Sequence, residues 1–212
     1  MTPPFSKAVD PIFLYVLDLL DRIERNEMPV VSDERVRIRA RIDQAEAQLG
    51  QREDWNLAKY ALVAWIDDLL IEAPWEGRTA WENRPLEVEL FGRREAYSAF
   101  YSKAVDASAL TKKDALEVFY VCVVLGFRGL YRDASGVSLA QQLGMPADVE
   151  LWAKKTAMAI HLAQGRPPIA ETPREGDGGP PLEGKFNLIA MSLLCFMLLS
   201  AALLMGWLMY FT

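Results

Sequence analysis

The sequence predicts an all-α protein, a helical domain followed by one C-terminal transmembrane helix. Three observations carry that expectation. Apolar residues recur at spacings of three and four through residues 1–165, with Gly, Pro and small polar residues at the breaks. Residues 166–185 read RPPIAETPREGDGGPPLEGK, where five prolines and four glycines disfavour helix and strand and mark a linker. From Leu188 to Phe211 the chain has no charged residue and no proline. As a helix that stretch runs roughly 35 Å at about 1.5 Å per residue, enough for a hydrocarbon core of about 30 Å. The expected organisation is therefore a domain at 1–165, a linker at 166–185 and an anchor at 186–211.

The elements follow in order. Asp10-Pro11 offers a cap and a first-turn proline, and Ile12, Val16, Leu19, Leu20 and Ile23 fall on one face up to Pro29. Ser32 or Asp33 is a candidate cap for a second helix, with Ile38, Ile42, Ala45 and Leu49 as its stripe and Gly50 as its stop. Asp54 is a candidate cap for a third, with Trp55, Ala58, Leu62, Trp65, Ile66 and Leu69 inward and Pro74 at its end. Trp75 to Arg84 reads as a loop, Pro85 to Phe91 as a short helix, and Arg93 to Val105 as a helix carrying Tyr97, Phe100 and Tyr101. Thr111-x-x-Asp114 resembles a capping box with Asp in the place of Glu. The run LEVFYVCVVL after it is too short to span a membrane. It reads as a central helix and not a buried strand, since no second strand candidate exists to pair with it. Gly126 and Gly129 punctuate a turn, and a last helix covers about Pro146 to Gln164, with Val149, Trp152, Ala153, Thr156 and Ile160 inward.

Topology follows from the flanks of the span. Arg166, Arg174 and Lys185 precede it and nothing basic follows it, so the large domain is expected in the cytoplasm. The first residues lack the apolar core of a signal peptide. The formal charge of −6 falls on the part outside the span. Such a domain is expected to be repelled by nucleic acid and by anionic lipid, which leaves proteins as its natural ligands.

Chemistry-bearing motifs are few. Cys122 and Cys195 have neither pairing nor metal-ligand spacing, and His161 is the one histidine. No phosphate loop, dinucleotide fingerprint, nucleophile elbow or zinc motif is present, so no cofactor and no enzymatic activity are expected. Asp67, Asp68 and Glu72 form the densest acidic group beside apolar sequence, and Asp68 and Glu72 share a helix face. A solvated acidic face or a docking patch for a basic partner suits them better than a paired-carboxylate hydrolase. Arg128 and Arg132 have the chemistry to bind a carboxylate of a partner or of this chain. Within the span, Ala202 and Gly206 are four apart and give a small-xxx-small face for self-association, with Ser192 and Ser200 as further polar positions.

Three segments together resemble one family. They are YALVAWIDDLL at 60–70, APWEG at 73–77 and FYVCVVLGFRGLYR at 119–132. The third is the most specific, and together they resemble the DotU/IcmH (TssL) family. That resemblance implies an all-α cytoplasmic domain of two packed helical bundles, hook-like in shape, followed by one transmembrane helix. It implies a structural component of the inner (cytoplasmic) membrane in a bacterial secretion machine, type VI or its type IVB counterpart. It also implies an IcmF-like (TssM) membrane partner, baseplate proteins as cytoplasmic partners, and self-association into a homo-oligomer. By the same resemblance, Asp67 and Asp68 fall where the family often has an Asp-Glu pair at a partner-contact groove. This chain departs from the family at Arg93-Arg94-Glu95-Ala96-Tyr97, where a Gly-Gly-Glu stretch is frequent.

Overall fold

The computed structural model describes residues 1–165 and 183–211, so most of the expected linker at 166–185 lies outside the described residues. The chain divides into two compact units, Met1–Pro167 and Pro168–Thr212. Among the described residues the secondary structure is helical, as the periodicity predicts.

The first unit contains α1 (Pro3–Glu24), α2 (Val31–Leu49), α3 (Glu53–Glu72), α4 (Arg78–Asn83), α5 (Leu86–Phe91), α6 (Ala96–Ala109), α7 (Asp114–Val124), a 3-10 turn (Gly129–Arg132), α8 (Ala134–Gln142) and α9 (Val149–Gln164). One bundle groups α1 and α2 with α3, which also carries α4 and α5; the other groups α6, α7 and α9. They meet where α3 packs on α7 and α6. The innermost helix is α3, not the LEVFYVCVVL helix alone. Every residue from Tyr60 to Asp67 is buried, whereas α7 leaves Val124 exposed. A helix buried on all sides has little amphipathic signal, which is why the sequence does not single it out. Ala58, Ala61 and Ala64 keep its surface low, and the Cys122 thiol of α7 reaches the Ala61 carbonyl at 3.7 Å.

Several boundaries differ from expectation, each for a physical reason. Helix α1 starts at Pro3 and runs through Pro11. Proline suits the first position, and the interior Pro11 is exposed, so the Lys7 carbonyl it frees faces water. Burial of Phe5, Ala8 and Val9 extends the helix beyond the Asp10-Pro11 signal. Helices α2 and α3 follow Val30 and Arg52 with no side-chain cap from Ser32 or Asp33, and Asp54 lies inside the first turn of α3, where its Oδ1 accepts from Trp55 N at 2.8 Å. Asp114 is not half of a capping box; it is buried and accepts hydrogen bonds from Thr2 N at 2.5 Å and Thr2 Oγ1 at 2.8 Å, tying α7 to the start of α1. Two helices were not expected. The Trp75–Arg84 stretch contains α4, pinned by the fully buried Trp81, and residues after Arg132 form α8, capped by Asp133 through Gly136 N at 2.7 Å.

The second unit is α10 (Glu183–Phe211), which begins three residues before the expected anchor. Its Ile189–Trp207 stretch has a mean hydropathy of 2.3 and is long and apolar enough to cross a membrane. The Ser192 and Ser200 hydroxyls donate within the helix, to Ile189 O at 3.1 Å and Met197 O at 2.9 Å. Gly206 has open space where a Cβ would stand, and the Ala202 side chain lies outside the described residues.

Candidate partner site at the end of the third helix

The three acidic residues expected to form one solvated patch have three different environments. Asp67 is 4% exposed, so for this residue the surface reading is corrected. Its Oδ1 accepts from Trp81 Nε1 and Leu86 N, both at 2.8 Å, and its Oδ2 accepts from Glu87 N at 2.8 Å. Leu86 and Glu87 open α5, whose first amides have no partner inside the helix. Asp67 thus caps a helix from nineteen residues away in the chain. Burial pushes its carboxyl up to about 6, against the three donors that pull it down.

Glu87 repeats the arrangement one step further. It is 2% exposed, takes the Tyr60 hydroxyl at 2.6 Å, and accepts from Glu95 N and Ala96 N at 3.1 Å. Those amides open α6. Asp67 on α3 therefore holds α5, and Glu87 on α5 holds α6. In the segment Arg93–Tyr97, where the chain departs from its resemblance, Glu87 holds the Glu95 and Ala96 amides and the Tyr97 hydroxyl donates to Asp133 at 3.3 Å.

Asp68 and Glu72 turn the other way. Both pair with Arg132 of the 3-10 turn, and Asp68 Oδ2 also lies 3.4 Å from Arg128 N. Of the two alternatives for Arg132, the internal salt bridge is the one present. Burial raises the Asp68 carboxyl, and Arg132 opposes the shift. The Asp68 side chain is 17% exposed and Glu72 is 55% exposed, so Glu72 is the acid most open to a partner. A cleft of about 140 Å³ runs beside them, lined by Asp67, Asp68, Ile71, Arg94, Tyr97 and Phe127.

The turn that delivers Arg132 is built by its sequence. Gly126 and Gly129 have φ of 113° and 48°, a region costly for residues with a Cβ. A Cβ at Gly129 would meet the Phe127 ring at 2.9 Å and the Tyr97 carbonyl at 3.1 Å. Phe127 stacks on Phe100 at 3.9 Å between ring centroids, and the Tyr101 hydroxyl donates to Arg128 O at 2.8 Å. The segments 60–70 and 119–132, far apart in sequence, converge here. The third, APWEG, braces the same helix, since Trp75 Nε1 donates to Leu70 O at 2.8 Å. Gly77 permits that fold-back, because a Cβ there would stand 2.4 Å from the Trp75 ring.

The comparisons agree with this convergence. The sequence matches the family described as "Type VI secretion system protein DotU" over residues 4–212. The chain belongs to the DotU family. Among solved structures it is similar to the cytoplasmic domain of TssL from Acinetobacter baumannii, with a TM-score of 0.60 and 23% identity over 75% of this chain and 98% of that one. At that identity the likeness speaks to the fold, which is all-α in line with expectation. Comparison with curated proteins finds no match. Membership in the DotU family makes the chain a type VI secretion component, where the sequence by itself leaves the type IVB counterpart open.

Sequence reasoning missed Glu87 and Trp81, the partners that make Asp67 structural. A signal was present for Asp67 itself: it ends the apolar run YALVAWI, where a charge has to be buried with partners. No cluster of three His, Cys, Asp or Glu residues with metal-ligand geometry occurs among the described residues. The Cys122 thiol is fully buried and pushed up by desolvation.

Proposed function

We propose that this DotU-family chain is a non-enzymatic structural subunit of the type VI secretion membrane complex. In this reading α10 holds it in the inner membrane and residues 1–165 lie in the cytoplasm. The domain joins an IcmF-like (TssM) membrane partner to the baseplate. The observation that carries the reading is the family match across both units, the apolar helix included. The basic flank before α10 supports the orientation.

Within that function, the exposed edge formed by Glu72, Asp68 and Arg132 is the candidate contact for a cytoplasmic partner. Asp67 positions that edge from inside and does not touch the partner. An exposed charge contributes little to stability, while charge complementarity governs encounter and specificity. Glu72→Lys should leave the fold intact and reduce capture of baseplate proteins in pull-downs from membranes. Unchanged capture and unchanged secretion would remove this edge from the mechanism. Orientation is tested by adding a Cys after Thr212. It should label from the periplasmic side, and labelling only after the inner membrane is permeabilised would overturn the orientation.

A further inference from the structure

We propose that the outward ridge of α9 is a lipid-contact surface, which seats the α6–α9 half of the domain on anionic headgroups. The proposal rests on the reading of α10 as a membrane span. Helix α9 buries Trp152, Thr156 and Ile160 on one side. On the opposite side Leu151, Met158 and Leu162 form a line that is 39%, 61% and 84% exposed. At about 100° per residue, Lys154 and His161 flank that line on one side and Lys155 on the other. An apolar stripe bordered by lysines is the profile of a helix lying in a membrane interface.

The charges around the ridge agree. Lys154 and Lys155 are exposed and enter no ion pair among the described residues. Four of the six acids of this half are engaged elsewhere, while Asp106 and Glu150 are exposed, Glu150 on α9 beyond the Lys154 border of the ridge. Asp114 holds Thr2, Glu117 holds the Met1 amino group, and Asp133 and Asp148 cap α8 and α9. The net charge of −6 argues against lipid contact for the domain as a whole, but it is unevenly spread. Residues 1–95 carry nineteen acids against thirteen Lys and Arg, while residues 96–165 carry six against seven.

Covalent connection supplies the third argument. Residues 165–182 separate α9 from α10, and eighteen residues reach at most about 60 Å when fully extended. The ridge is therefore held at high effective concentration near whatever membrane α10 enters. A second copy of the chain is the competing occupant. The lysine borders favour an anionic surface over an identical ridge carrying the same charges.

The test uses the full chain in vesicles. A polarity-sensitive fluorophore is attached at Met158→Cys in a Cys195→Ser background, where Cys122 is too buried to react. In vesicles of phosphatidylcholine with phosphatidylglycerol, quenching by the neutral quencher acrylamide should fall about fivefold relative to phosphatidylcholine alone. High salt, or Lys154→Glu with Lys155→Glu, should restore the quenching. Equal quenching in both vesicle types overturns the proposal. So does protection that follows the protein-to-lipid ratio and ignores lipid charge, which would mark a contact between copies. Native Cys195 separates the two readings. If it resists an aqueous maleimide while the Met158 site stays quenched, the span stands and the lipid contact falls. If Cys195 reacts, both fall.

Discussion

The two halves of the helical domain are held by different forces. In the α1–α5 half, buried carboxylates fix elements through directed hydrogen bonds. Glu34 takes Arg22 through both of its oxygens at 3.1 Å, together with the Tyr15 hydroxyl, while Asp67 and Glu87 cap helices in sequence. In the α6–α9 half the centre is aromatic. Phe100 meets Phe119 at 4.8 Å, and Tyr101 meets Tyr131 at 5.0 Å and Trp152 at 5.3 Å between ring centroids. A carboxylate specifies direction and is costly to disturb, because it leaves donors without partners. Aromatic rings specify volume and tolerate replacement of similar shape. The carboxylate-held first half should therefore be brittle to single-atom changes and the aromatic centre of the second should not.

The largest effect expected from that contrast is at Asp67. Asp67→Ala strands Trp81 Nε1 and two buried amides and should cost about 3–5 kcal/mol. Urea denaturation of the detergent-solubilised chain measures it, and a loss below about 1 kcal/mol would mean that water replaces the carboxylate. The sharper test keeps the shape. In Asp67→Asn one oxygen becomes an NH₂ group that faces another donor, so about 2 kcal/mol should be lost. Phe119→Leu in the aromatic half should cost about 1 kcal/mol. If Phe119→Leu proves the more damaging of these two, the division into directed and volumetric halves is wrong.

A pH series tests the same contrast more gently. The Asp67 carboxyl, pushed up to about 6, lies above its ordinary value near 3.8. Between those values the folded state binds more protons than the unfolded, so this group's contribution is present at low pH and fades as pH rises through 6. Going from pH 7 to pH 5, the parent should gain about 1 kcal/mol relative to Asp67→Asn, which does not titrate. Glu34 has the opposite sign. Burial pushes its carboxyl up, but the bonds from Arg22 and Tyr15 outweigh that and leave it lowered. Its contribution is lost as pH falls below the ordinary glutamate range. A parent-minus-variant difference that stays flat from pH 7 to pH 5 would show that Asp67 is not held near 6.

How much of this was legible depended on the range of each interaction. Stripes such as Ile38, Ile42, Ala45 and Leu49 lie within one helix and can be read directly. Gly126 and Gly129 likewise marked a real turn. The caps were illegible because the groups that hold α5 and α6 come from other elements, Asp67 and Glu87. Helix α4 hid because Trp81 anchors it alone among polar residues. The candidate site was half legible. The acidic residues stood out and Arg132 was read as a ligand for a carboxylate of a partner or of this chain, but the burial that separates Asp67 from Glu72 is a tertiary fact.

The smallest expected effect lies in the second unit. The leucine, methionine and phenylalanine side chains described along α10 are exposed, and Gly206 meets nothing within 4 Å. If Ala202 and Gly206 form a self-association face, close backbone approach is its basis, and one added side chain should block it. Gly206→Leu should then weaken dimer formation in a membrane two-hybrid assay by about 1 kcal/mol, roughly fivefold. Insertion should be unaffected, since leucine is favourable in the bilayer. Equal dimerisation of variant and parent would take this face out of the contact. The same assay with the span alone then decides whether association resides in the helical domain. A span that associates by itself would support the membrane route, and one that does not would shift the search to residues 1–165.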